Sequence, residues 1–103
     1  MSEPTPKPEE SGPPPALTPR DLFLGLVQSF QLAAMQQLGL VPDPSTDATA
    51  RDLPQAKLSI DMLEMLKGRT EGNLTMEEGR FLDHVLTELR LHYVTEAAKA
   101  GKG

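Results

Sequence analysis

The chain has 103 residues, with ten prolines, no cysteine and a formal net charge of −5, which limits it to one small domain. The absence of cysteine excludes disulfides and thiolate metal sites. The ten basic residues are scattered, which argues against nucleic acid as a partner. Met1 is followed by acidic and proline-rich residues rather than a secretory leader, so we expect a cytoplasmic protein.

The first 17 residues, MSEPTPKPEESGPPPAL, hold six of the ten prolines and almost no apolar side chains. Proline lacks a backbone donor, so neither a helix nor a sheet can propagate through this segment. We therefore predict a disordered Pro-rich tail over residues 1–17, a folded domain over 18–98 and a frayed C-terminus over 99–103.

The first predicted helix begins after Thr18, which can act as the N-cap, with Pro19 at the first helical position. It ends at about Leu38, because Gly39 can form a left-handed C-cap. No residue from Leu22 to Leu38 is charged. On a helical wheel, one narrow polar stripe interrupts an otherwise apolar circumference.

Helix one therefore presents more apolar surface than two neighbouring helices can cover. We expect a non-enzymatic interaction module that forms a homodimer, or binds another protein, through this helix. The predicted interface residues are Phe23, Leu26, Val27, Phe30, Ala34 and Met35. The alternative is peripheral membrane association through the same helix, which its glutamines and its lack of a Lys/Arg-rich face disfavour.

A polar connector, VPDPSTDATAR, leads to the second predicted helix, which Asp52 caps. This helix carries two apolar strips, which indicates two neighbours. The first strip contains Leu53, Ala56, Ile60, Leu63 and Leu66. The second contains Leu58, Met62 and Met65.

The stretch KGRTEGNLTMEE at residues 67–78 is predicted to be the turn between helices two and three. It lacks the G-x-x-x-x-G-K-[ST] pattern of a phosphate-binding loop. Thr75 and Glu78 form the T-x-x-E capping box of helix three. The predicted fold is thus a small all-α domain of three helices, in which a long connector separates the first helix from a helical hairpin.

His84, Glu88 and His92 follow one another at spacings of four on helix three. Two imidazoles and a carboxylate on successive turns could bind zinc or another divalent ion. The alternative is a solvated flank in which Glu88 pairs locally. The sequence shows no nucleophile motif and no glycine-rich phosphate motif, so we expect neither catalysis nor a cofactor.

Four segments carry a family resemblance. They are LAAMQQLGLVPDP at 32–44, DLPQAKLSIDMLEML at 52–66, RTEGNLTMEE at 69–78 and LTELRLHYV at 86–94. With these segments the chain resembles, over residues 23–96, a bacterial family of domains of unknown function, the one numbered 1844. The resemblance implies a short, helical, cytosolic bacterial protein with a variable N-terminus. It implies no activity, cofactor or catalytic residue.

Overall fold

The structure, a computed structural model, describes residues 16–101. Three helices make up an all-α bundle: α1 spans Pro19–Gln37, α2 spans Leu53–Arg69 and α3 spans Met76–Gly101. The predicted fold class is confirmed. The predicted disordered tail lies, except for its last two residues, outside the described range. Helix α3 continues past the predicted domain end at residue 98, because the alanines of its last turn favour a helix.

Each helix begins at a side chain that caps it. The Thr18 hydroxyl accepts a bond from the backbone N–H of Asp21, and the Asp21 carboxylate accepts one from the N–H of Thr18, both at 3.1 Å. Thr75 and Glu78 make the same reciprocal pair at the start of α3. The Asp52 carboxylate accepts a bond from the backbone N–H three residues later in α2. These bonds satisfy donors that would otherwise lack intrahelical partners.

Contacts near the helix ends fix the directions of the three helices. The backbone N–H of Asp52 donates to the carbonyl of Gln37 at 2.7 Å, so α2 starts beside the end of α1 and runs antiparallel to it. A short turn then joins α2 to α3 as an antiparallel hairpin. Arg20 at the start of α1 pairs with Glu77 at the start of α3 at 2.7 Å. Helices α1 and α3 are therefore parallel.

All three helices contribute to one hydrophobic core, and every pair of helices is in contact. The buried apolar residues are Val27, Ala34, Leu38, Ala56, Ile60, Leu63, Leu82, Val85, Leu86 and Leu89. Their burial is the main stabilising term for a chain that has no disulfide.

The connector between α1 and α2 is held by local bonds. Gly39 takes a left-handed φ of 79°, which ends α1 as predicted. The Asp43 carboxylate accepts bonds from the backbone N–H of Ser45 at 2.9 Å and from its hydroxyl at 2.7 Å, and Asp47 has a φ of 59°. Aspartate tolerates that conformation better than most residues. The connector is thus a sequence of turns that returns the chain to α2.

Candidate interaction surface

The structure divides the six predicted interface residues between the core and the surface. Val27 and Ala34 have no exposed surface and belong to the core. A partner could reach these two predicted interface residues only if the bundle opened. The half-buried residues Phe23, Phe30 and Met35 pack against the core. Leu26 alone among the six is exposed, at 45%.

The outward side of α1 carries other leucines that the sequence did not single out as interface residues. Leu22 is 58% exposed and Leu32 is 54% exposed. Gly25 and Ser29 lie between them, and a Cβ added at Gly25 would have no atom within 4 Å. This side of α1 therefore combines large apolar side chains with small residues and carries no charge.

A polar contact marks the seam between α1 and α2. The Ser59 hydroxyl donates to the side-chain oxygen of Gln37 at 2.7 Å. Residues separated by four, seven or eleven positions share one side of a helix. Leu26 and Ala33 therefore lie on the Gln37 side of α1, and Met62 follows Ser59 by three positions on α2. Apolar side chains consequently border the seam on both helices.

The second apolar strip predicted on α2 faces away from the core. Leu58, Met62 and Met65 are 46%, 39% and 55% exposed. Their spacing of four and then three residues places them in one row along the helix. We call the exposed and half-buried residues of α1 and α2 that adjoin the seam the α1–α2 surface. It consists of Leu22, Leu26, Ala33, Leu58, Met62 and Met65.

The two acidic side chains of α2 lie beside α3 or pair along the helix. Glu64 accepts a bond from Arg90 of α3 at 2.8 Å, and Asp61 pairs with Lys57 one turn away at 3.0 Å. The hydrogen bond to Asp61 raises the pKa of Lys57 above its ordinary value. These pairs border an open cleft of about 380 Å³ whose apolar wall includes Tyr93. Each carboxylate of α2 is thus held by a cation.

An ion cluster that the sequence analysis missed joins the connector to the last turns of α3. The Glu96 side chain is 7% exposed, and it accepts bonds from Arg51 at 2.9 Å and from Lys99 at 3.0 Å. The hydrogen bond from Lys99, aided by Arg51, lowers the pKa of Glu96. Arg51 and Glu96 are 45 positions apart. No local sequence pattern could have identified that pair.

The three candidate metal ligands do share one side of α3. The carboxylate oxygens of Glu88 lie 4.0 Å from the Nε2 atom of His84 and 3.8 Å from that of His92. The contacts are longer than good hydrogen bonds, and Glu88 is about half exposed. Across residues 16–101, no group of three or more His, Cys, Asp or Glu side chains is arranged to hold a metal ion.

None of the helices within the described range has both the length and the apolar character required to cross a membrane. A family model described as a domain of unknown function, DUF1844, matches residues 21–96, which is about three quarters of the chain. No curated protein and no solved structure matches the chain significantly.

Proposed function

The chain belongs to the DUF1844 family of domains of unknown function, and we propose that it is a non-enzymatic interaction module that forms a homodimer through the outward side of α1. One observation carries the proposal. Leu22 and Leu26 remain about half exposed on a helix that has no charged residue from position 22 to 38. Water contact with such a helix is unfavourable, and association with a second apolar surface removes it.

The acidic side chains support binding rather than catalysis. General acid–base chemistry uses carboxylates whose environments move their pKa values apart within a cleft. Here Asp61 and Glu64 are paired with cations, while Asp21 serves a helix cap. The backbone and hydroxyl of Thr18 lower the pKa of Asp21. Each of these groups already has a structural role.

The compartment belongs to the same proposal. A chain without cysteine is compatible with a reducing environment, because it does not depend on disulfides for stability. We propose that the homodimer acts in the bacterial cytoplasm.

The test is the mass of the protein in solution. We expect size-exclusion chromatography with light scattering to give a dimer for the wild type at about 100 µM. Leu26→Lys should give a folded monomer, because its side chain is exposed in the subunit but would place a charge inside the interface. Far-UV circular dichroism should show the same helix content for both proteins.

The matched control is Leu91→Lys on α3. Leu91 is 66% exposed, which is more than Leu26, and it lies outside the proposed interface. The same substitution there should leave the dimer intact. A wild type that is well folded and monomeric at about 100 µM would refute self-association. Binding of that monomer to lipid vesicles would favour the membrane alternative instead.

A further inference from the structure

We infer that the dimer interface extends beyond α1, and that the second copy covers the whole α1–α2 surface. The inference rests on the proposed self-association and assigns a role to the row Leu58, Met62 and Met65 of α2. None of these three residues belongs to the core of the subunit or to the half-buried residues that pack against it. It faces away from the core that the opposite side of α2 completes through Ile60 and Leu63.

The first argument is the area that a stable dimer requires. Leu26 and Leu32 are six positions apart and therefore about 120° apart around α1, so one flat partner cannot cover both fully. The seam side of α1, with Leu22 and Leu26, exposes on the order of 200 Å² of apolar residues per subunit. A symmetric pair would therefore bury roughly 400 Å² of apolar surface. Even after polar area is added, the total stays below the ~1,000 Å² that specific interfaces exceed.

The row on α2 makes up the difference. Its three residues expose on the order of 270 Å² more per subunit, which brings the apolar area of a symmetric pair to roughly 900 Å². Apolar atoms make up about 56–65% of an interface. The total is then about 1,500 Å², which is the standard size of a stable protein–protein interface.

The second argument is charge, which does not oppose a copy of the same chain as the occupant. Each copy has a net charge of −5, so two copies repel one another unless their acidic groups stay apart. No carboxylate lies between Leu22 and Leu38, and both carboxylates of α2 are held in ion pairs. Two α1–α2 surfaces can therefore meet without placing acidic side chains opposite each other.

The third argument is the continuity of the surface. The Gln37–Ser59 hydrogen bond holds α1 and α2 side by side, so Leu26 and Met62 border the same seam. The row on α2 has spacings of four and then three residues. In an antiparallel pair that shares a two-fold axis near Met62, Leu58 of one copy lies level with Met65 of the other. The row is thus complementary to itself, as a symmetric interface requires.

The test compares Met62→Lys with Leu91→Lys and Leu26→Lys by sedimentation equilibrium. We expect Met62→Lys to raise the dissociation constant about 100-fold or more, as Leu26→Lys does, because a charge at the centre of an interface loses its hydration. Leu91→Lys should leave the constant unchanged. Thermal unfolding of each variant at low concentration checks that the subunit still folds.

A second measurement uses the absence of native cysteine. In Met65→Cys the single thiol should react with a maleimide more slowly as protein concentration rises, because the partner covers it. In Leu91→Cys the rate should not depend on concentration. A cysteine replaces either side chain without adding charge, so this readout remains valid even where the lysine variants fail to fold.

The outcomes separate the two proposals. If Leu26→Lys dissociates the dimer while Met62→Lys does not, and Met65→Cys is not protected, the extension over α2 is overturned and self-association through α1 stands. A wild-type monomer at about 100 µM overturns both. Protection of Met65→Cys that appears only when lipid vesicles are added overturns a second copy as the occupant.

Discussion

Leu63 and Met62 are neighbours in the sequence of α2 whose side chains differ in burial and should differ in energetic role. Leu63 has no exposed surface, whereas Met62 is 39% exposed. The change Leu63→Ala leaves a cavity in the core and should cost about 2–5 kcal/mol. A domain of this size has about 4–13 kcal/mol of stability in total. The variant should therefore melt roughly 10 °C or more below the wild type.

The change Met62→Ala should act only through association. In the isolated subunit it alters surface that water already contacts, so its effect should stay within about 0.5 kcal/mol. Association stabilises the folded subunit by about 2.7 kcal/mol when the protein is at about 100 times its dissociation constant. Because Met62 lies in the proposed interface, Met62→Ala should weaken the proposed dimer and reduce that added stability.

Urea denaturation followed by far-UV circular dichroism measures both effects. Each variant and the wild type are unfolded at about 1 µM and at about 100 µM. Leu63→Ala should lose stability at both concentrations, and Met62→Ala only at the higher one. If Leu63→Ala and Met62→Ala lose the same free energy of unfolding at the lower concentration, the assignment of inner and outer sides of α2 is refuted. A Met62→Ala loss that does not change with concentration would refute its place in the interface.

Two further predictions concern single positions. The hydrogen bond from Lys99 lowers the pKa of Glu96 below its ordinary value of 4.5. The Glu96 carboxylate therefore stabilises the fold fully above about pH 4.5, and this stabilisation is lost as the pH falls through the lowered pKa. Glu96→Gln should therefore make the melting temperature fall less steeply between about pH 5 and pH 2, and equal slopes would contradict the assignment. Gly39→Ala should lower the free energy of unfolding by about 1–2 kcal/mol, because the φ of residue 39 is 79°. Gly25→Ala, at a helical position with open space around it, should raise the free energy of unfolding by about 0.5–1 kcal/mol at low protein concentration. Thermal unfolding measures both changes. Melting temperatures that shift in the same direction in the two glycine variants would contradict the backbone argument.

The starts of the helices could be predicted from the sequence because capping is local. Thr18, Asp52 and Thr75 each lie within three residues of the backbone groups that they satisfy. The glycine at position 39 likewise determines where α1 ends, since its φ is positive. Such signals need no knowledge of distant contacts, and all of them appear where the sequence placed them.

The inner side of α1 could not be predicted in the same way. An apolar pattern that surrounds most of a helix does not indicate which direction the core lies in. Val27 and Leu26 are equally apolar neighbours, yet only packing against α2 and α3 decides that Val27 is buried. On α2 the charges Asp61 and Glu64 mark one solvent-facing side, but the sequence predicted a neighbour for each of the two apolar strips, and only the strip with Ile60 and Leu63 enters the core. The Arg51–Glu96 pair was missed because it depends on the fold itself.

The parallel arrangement of α1 and α3 has a consequence for any polypeptide joined to this bundle. The chain enters α1 at the pole where Arg20 meets Glu77 and leaves α3 at the opposite pole, beyond Glu96. Helix α3 alone, with 26 residues, separates those poles by about 39 Å. The two ends of the described chain therefore lie at opposite poles of the bundle, not on the flank formed by α1 and α2. Labels attached at those poles can test the proposed association without occupying the α1–α2 surface.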